Sequence, residues 1–268
     1  MNSSFGTSSS AGRSIHSAFG MYPSVTPNAG YSFSIFPRTI PTVYAKYNVN
    51  QITVQAAAYA GASTSFDEAP YNLHWNLDES VYLVGEIHYK NNKRGAQTGL
   101  YKLGFFYHSS DFPDVTQVAN LIRGNRGCYL IADHMLLPES DHPGQGLKLL
   151  AQISMASGNQ NLLDLYNSAG FTYQGLLPQR DQDVLFFGMV NSFINQELQE
   201  VTGTMESNRA IVEMNYTLTL GNYFTLQPNL EYIVNPGADP TLENALLGML
   251  RFSIKYWPLK DIKKGKSM

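Results

Sequence analysis

Apolar and polar residues alternate with a period of two along much of this chain, most regularly from Ala210 to Trp257. In AIVEMNYTLTL, Val212, Met214, Tyr216, Leu218 and Leu220 fall on one side and Glu213, Asn215, Thr217 and Thr219 on the other. After Gly221-Asn222, Phe224, Leu226, Leu230 and Tyr232 alternate with Thr225, Gln227, Asn229 and Glu231. After Asn235-Pro236-Gly237, Leu246, Leu250, Phe252, Ile254 and Tyr256 alternate with Arg251, Ser253, Lys255 and Trp257. Alternation held over about ten residues predicts long two-faced strands, of the length that crosses a bilayer at a tilt. The polar face is rich in Glu, Gln, Asn and Arg, which suits a water-lined wall better than a dry core.

The same pattern predicts strands upstream. PTVYAKYN and QITVQAAAYA form a hairpin about Asn48-Val49-Asn50, with Ile52, Val54, Ala56 and Ala58 opposed to Gln51, Thr53, Gln55 and Tyr59. Residues 61–79 read as a loop with a short strand. In 80–90, Val81, Leu83, Gly85, Ile87 and Tyr89 oppose Tyr82, Glu86, His88 and Lys90; in 99–108, Tyr101, Leu103, Phe105 and Tyr107 form the apolar row. Residues 111–127 read as a loop with a helical turn at 114–122, and GCYLIADHMLL as a strand whose facing is ambiguous. The acidic loop 138–146 precedes LKLLAQISMAS, with Lys148, Gln152 and Ser154 on its polar side. NQNLLDLYNSAG fits helix or strand by pattern; FTYQGLL and DVLFFGMVNSFI read as strands. The expectation is ten or eleven strands.

Several stretches resemble the carbohydrate-selective porins of the OprB family. They are GLYKLGFFYHSSDFPD, RGCYLIADHMLL, GFTYQGLLPQRDQDVLFFG, the segments around Glu213–Tyr216, Leu226-Gln227-Pro228 and Tyr232–Gly237, and a closing Leu-Gly-x-x-Arg. Their order and spacing extend the likeness from about Asn2 to Trp257. The resemblance implies an all-β, antiparallel transmembrane barrel of the sixteen-strand type, represented here by its C-terminal two-thirds. Composition reads 1–38, rich in Ser, Gly and Pro, as a loop with one short helical turn, which the resemblance makes a long irregular excursion, and 258–268 as a basic disordered tail, leaving 39–257 as the barrel portion. The resemblance also favours irregular strand over helix for 159–170.

Composition narrows the alternatives. The net charge is -3, which gives no case for nucleic acid. No run of 18 apolar residues occurs, so no helix crosses a membrane; strands escape that test. The single cysteine, Cys128, excludes an internal disulfide. MNSSFGTSSS has neither a basic nor an apolar leader region. The expectation is therefore a piece of a longer porin, because an open sheet edge in lipid leaves backbone groups unpaired at several kcal/mol each.

Neither catalysis nor metal binding finds support. Asp133-His134 and Asp141-His142 put acid beside imidazole, but neighbours in a strand face opposite ways. No nucleophile, zinc or phosphate motif occurs, and no cofactor is expected. The charged row has to face water, since Arg or Lys facing mid-bilayer lipid costs about 2–4 kcal/mol. Candidate pore-lining or sugar-contacting residues are Glu86, His88, Lys102, Arg180, Asp183, Glu213, Gln227, Asn229, Glu231 and Arg251, with Trp75 and Tyr82 as stacking platforms. Pro178-Gln179-Arg180-Asp181 reads equally well as a turn held by local polar contacts. Because the row holds both signs, no strong single-sign field is expected in the lumen.

The function implied is passive diffusion of mono- or oligosaccharides across a bacterial outer membrane. The partners are then permeating carbohydrates and outer-membrane lipid, and a homo-oligomer is compatible with them. Three rivals stay open. A soluble β-sandwich would stay in solution without detergent, a lipase-like barrel would show a Ser–His pair on one outer face, and a porin remnant would not transport.

Overall fold

A computed structural model describes residues 5–20, 41–60, 80–93, 96–117, 119–139, 142, 144–156, 158–203 and 205–255. Eleven strands run β1 (Thr42–Val49), β2 (Ile52–Ala60), β3 (Val81–Lys93), β4 (Ala96–Pro113), β5 (Leu121–Pro138), β6 (Gly146–Ala156), β7 (Leu163–Gln174), β8 (Val184–Ile194), β9 (Asn208–Leu220), β10 (Phe224–Val234) and β11 (Ala245–Ile254). They form one antiparallel sheet in which every strand pairs with its chain neighbours, in the order β1 to β11. β1 and β11 are not paired with each other.

Side-chain alternation fixes which face is covered. In β10, Gln227, Asn229 and Glu231 are buried while Phe224, Pro228, Leu230 and Tyr232 are exposed. In β2, Thr53, Gln55 and Ala57 are buried while Ile52, Val54 and Ala56 are exposed. Gln55, Glu213 and Glu231 are 1%, 0% and 1% exposed, whereas Leu246 and Phe252 are 66% and 70% exposed. A water-soluble sheet would show the reverse. This wall buries its polar row and presents apolar side chains outward, as lipid requires.

Turn chemistry agrees with the strand ends. Asn50 (φ 50°) closes the β1–β2 hairpin and Gly221 (φ 64°) opens the β9–β10 turn, both in the left-handed region that Asn and Gly tolerate. Asn235 (φ 49°) leads into the turn Pro236–Ala238.

Four details differ from the pattern reading. The described residues among 114–120 form no helix: Asp114 accepts from the backbone N–H groups of Thr116 and Gln117, and β5 begins at Leu121. β7 is one continuous strand over 163–174, and FTYQ is its second half. β5 turns Asn125, Tyr129, Ile131, Asp133 and Met135 inward; its facing was ambiguous because two of these five are aliphatic. A short helix α2 (Gln196–Thr202), following α1 (Ser17–Gly20), was not anticipated. Asn195 caps it by accepting from Leu198 N–H, and Gly203 (φ 62°) ends it. The loop 61–79 and the basic tail lie outside the described residues.

Candidate functional site

The inner face is not an open polar wall. Residues 5–20 lie across it, held by carboxylates from three strands. Glu86 on β3 accepts from Gly6 N–H at 2.8 Å, Tyr129 Oη–H at 2.6 Å and Gln55 Nε2–H at 2.9 Å. Glu86 also bonds His88 Nε2 and lies 3.9 Å from Lys102 Nζ. Asp133 on β5 accepts from Ser8 Oγ–H at 2.7 Å and Ser9 N–H at 3.1 Å. Glu213 on β9 accepts from Ile15 N–H at 2.8 Å, His16 N–H at 3.2 Å and the Ser14 hydroxyl.

The segment's carbonyls are matched as closely. Lys102 Nζ donates to Thr7 O at 2.7 Å, and Tyr166 Oη–H to Ala18 O at 2.9 Å. Arg13 O accepts from Gln227 Nε2 at 2.9 Å and Asn215 Nδ2 at 3.2 Å. An irregular segment inside a wall must satisfy its own backbone polar groups, and these side chains do so. Bonds from N–H groups to ionised acceptors are among the strong ones.

Apolar contacts seat the segment at both ends. Phe5 joins Tyr59, Tyr82, Phe106, Tyr129 and Ile131 in one buried cluster. Ala11 and Phe19 join Leu150, Tyr166, Phe186, Val190 and Ile211 in another, and the Phe19 ring meets the Phe186 ring edge-on at 5.4 Å. The inner face is thus apolar as well as polar, most clearly along β8, where Phe186 and Val190 point inward. Glycines make room for the rings. A Cβ on Gly104 would sit 2.0 Å from Tyr129 Cζ, and one on Gly127 would sit 2.4 Å from Phe106 Cε1.

The structure brings most of the sequence candidates onto this face and covers several of them. Glu86, His88, Lys102, Glu213, Gln227, Asn229 and Glu231 are all buried there, and Tyr82 is 0% exposed beneath its aromatic neighbours. Arg251 is exposed on the same face; it pairs with Gln227 in register and donates to Gln227 Oε1. Arg180 and Asp183 stand apart, at the β7–β8 turn. Arg180 Nε–H donates to Asp183 Oδ2 at 2.7 Å, and Asp183 Oδ1 accepts from Thr219 N–H at 2.8 Å, which is the turn-holding arrangement. Trp75 lies outside the described residues. Asp133 and the 5–20 segment were missed as parts of the site, since backbone donors leave no mark in side-chain patterning.

One further cavity, of about 1250 Å³, lies on the outer surface. Phe105, Tyr107, Cys128 and Met155 line it beneath Glu197 and Glu200 of α2. It is separate from the polar row.

A single meandering sheet with an apolar outside, a polar inside and a segment folded against that inside is the wall of a porin-type β-barrel. A model of the carbohydrate-selective porin, OprB family, matches residues 1–256, and the chain belongs to that family. Porin B of Pseudomonas aeruginosa is 22% identical over 187 residues, covering 59% of this chain and 41% of that protein. The high-pH structure of OprB from Pseudomonas putida superposes with a TM-score of 0.76 at 20% identity, over 88% of this chain and 63% of that one. The outer membrane channel DcaP of Acinetobacter baumannii gives 0.50 at 12% identity, over 80% and 61%. The chain spans less than half the length of the curated relatives it matches.

Proposed function

We propose that this chain forms the larger part of the wall of an outer-membrane pore through which carbohydrates diffuse passively. The observation that carries the reading is the inverted sheet. Gln55 on β2, Glu86 on β3, Asp133 on β5, Gln152 on β6, Glu213 on β9 and Gln227 and Glu231 on β10 are buried on one face, while Ile52, Ile87, Leu130, Ile153, Leu220 and Leu230 of the same strands stand exposed on the other. Membership of a carbohydrate-selective family supplies the solute class.

Connection lengths support an orientation. Two residues separate β1 from β2, two separate β3 from β4, and three separate β9 from β10. That rim also carries the β5–β6 and β7–β8 connections, of seven and nine residues, whereas connections on the opposite rim run from six to twenty residues and include 195–207 with α2 and 235–244. Short turns face the periplasm and longer loops the exterior in barrels of this kind. The 5–20 segment then narrows the lumen to a path whose walls can hydrogen-bond sugar hydroxyls, and a channel rather than an enzyme is the role these residues serve.

The test is osmotic swelling of liposomes holding the purified protein. Glucose and maltose should enter faster than into protein-free liposomes, and a planar-bilayer current should be partly blocked by either sugar. Unchanged current with every sugar, together with block by phosphate, would defeat the carbohydrate assignment.

A further inference from the structure

We infer that the outer-surface cleft beneath α2 binds a phosphorylated glycolipid of the outer leaflet, with a phosphate on Arg126 and an acyl chain along the floor. The inference rests on the barrel wall and on the orientation proposed above, and it concerns the face turned away from the lumen. Strands β4, β5 and β6 turn Phe105, Tyr107, Cys128 and Met155 outward, where they floor the cavity of about 1250 Å³. Cys128 pairs in register with Phe105 on one side and with Met155 on the other, so the floor is one continuous row.

The overhang is apolar as well. Leu198 anchors α2 in the rim cluster with Leu163, Ile194 and Ala238, and Val201 lines the cleft while 64% exposed. An apolar hollow holds water poorly. This one opens on the face that meets lipid, so hydrocarbon fills it. Its volume exceeds the roughly 300–1,000 Å³ of ordinary small-molecule sites, which favours a lipid with several chains.

The polar edge selects the headgroup. Arg126 lies directly opposite Tyr107 and is exposed on the same outward face. An arginine there is costly at mid-bilayer depth and nearly free at the interface, the level that tyrosines mark. Among the described residues, no carboxylate forms an ion pair with it. The acids of the cleft are engaged by neighbouring amides instead. Asp164 accepts from Asn195 Nδ2–H and Gln196 N–H, each at 3.1 Å, Glu197 from Asn159 Nδ2–H, and Glu200 from Gln196 Nε2–H at 3.0 Å.

The Arg126 guanidinium is therefore free for an anion, and its fork matches phosphate. One guanidinium near three carboxylates attracts free phosphate too weakly, so the chains have to supply the remaining affinity. Thr116, Gln117 and Asn159 border the same space with hydroxyl and amide groups, which pair with the hydroxyls of a sugar headgroup.

The experiment follows alkylation of Cys128, the single cysteine, by N-ethylmaleimide in the full-length protein purified in dodecyl maltoside, read by intact mass. Lipid A is the probe and should slow the reaction in a saturable way. R126Q, or dephosphorylated lipid A on the unaltered protein, should raise the half-protecting concentration about tenfold or more. R126K, which keeps the charge without the fork, should fall between. V201D should weaken protection too, and K46Q, on the inner face, should leave it unchanged. Heat-modified gel mobility confirms that each variant is folded. No protection by lipid A, protection by inorganic phosphate alone, or equal protection of R126Q and the unaltered protein would overturn the inference. No arm contains a permeating sugar, so these outcomes leave the carbohydrate pore standing; absent sugar entry with lipid protection intact would defeat the pore reading alone.

Discussion

Ile15 N–H donates to Glu213 Oε1 at 2.8 Å across 198 residues of sequence. That bond ties the first described segment to β9, while its counterparts on Glu86 and Asp133 tie it to β3 and β5. The segment is thereby part of the wall's inner surface, and the buried carboxylates have a structural task as acceptors.

Glu213→Ala should release the segment at one end. A hydrogen bond to a charged group contributes about 1.5–3 kcal/mol, and Glu213 accepts from Ile15, His16 and Ser14 together. The expected outcome is a lower unfolding midpoint on heated gels, faster proteolysis within 5–20 and higher single-channel conductance. Glu213→Gln, which keeps one acceptor oxygen, should show a smaller change in all three.

Gly104 lies directly under the Tyr129 ring, whose hydroxyl reaches Glu86 at 2.6 Å. Gly104→Ala places a methyl where the ring now sits. Overpacking of this kind costs about 1–3 kcal/mol, and the ring can move only by loosening its bond to Glu86. The unfolding midpoint in urea should fall, and conductance should change with it. Gly85→Ala, where the added carbon meets nothing within 4 Å, is the comparison and should be near neutral.

The two faces of β10 should respond oppositely to charge. Leu230 points outward at 45% exposure, next to inward Asn229. Leu230→Arg at mid-bilayer depth should cost about 2–4 kcal/mol of folding into lipid vesicles, read by urea titration. Arg251→Leu, on the inner face, should leave insertion intact, because that side chain never meets lipid.

Asp114 supplies a pH test outside the membrane-spanning strands. The Thr116 hydroxyl first, then the backbone N–H groups of Thr116 and Gln117, hold its carboxyl below the usual range. A carboxyl depressed in the folded state stabilises fully above its unfolded value and loses that contribution as pH falls through the folded one. The wild-type unfolding midpoint should therefore decline more steeply at acid pH than that of Asp114→Asn.

Much of the wall was legible because lipid and water impose a strict period of two. The faces of β2, β3, β4, β9 and β10 follow directly from Ile52/Thr53, Ile87/Glu86 and Leu230/Glu231. The reading blurred where the inner face departs from polarity, as at Ile131 and Met135, whose burial comes from the packed interior rather than from a solvated wall. α2 left a readable trace in Asn195 and Gly203 that period-two reasoning passes over. The docking of residues 5–20 had no local trace. Its anchors are main-chain amides meeting side chains far away in sequence, so Glu86 and Glu213 read as free wall residues when they are occupied.

The central claim is that one face of this sheet meets lipid and the other meets the aqueous lumen, and two adjacent residues of β11 test it most directly. With the sole cysteine removed by Cys128→Ser, nitroxide labels are placed at Arg251→Cys and Phe252→Cys in the protein reconstituted in lipid vesicles. The label at 252 should be readily relaxed by oxygen and shielded from a water-soluble nickel chelate, and the label at 251 should show the reverse. Nickel access at both positions, or lipid exposure at 251 with water at 252, would contradict the barrel wall and the pore built on it.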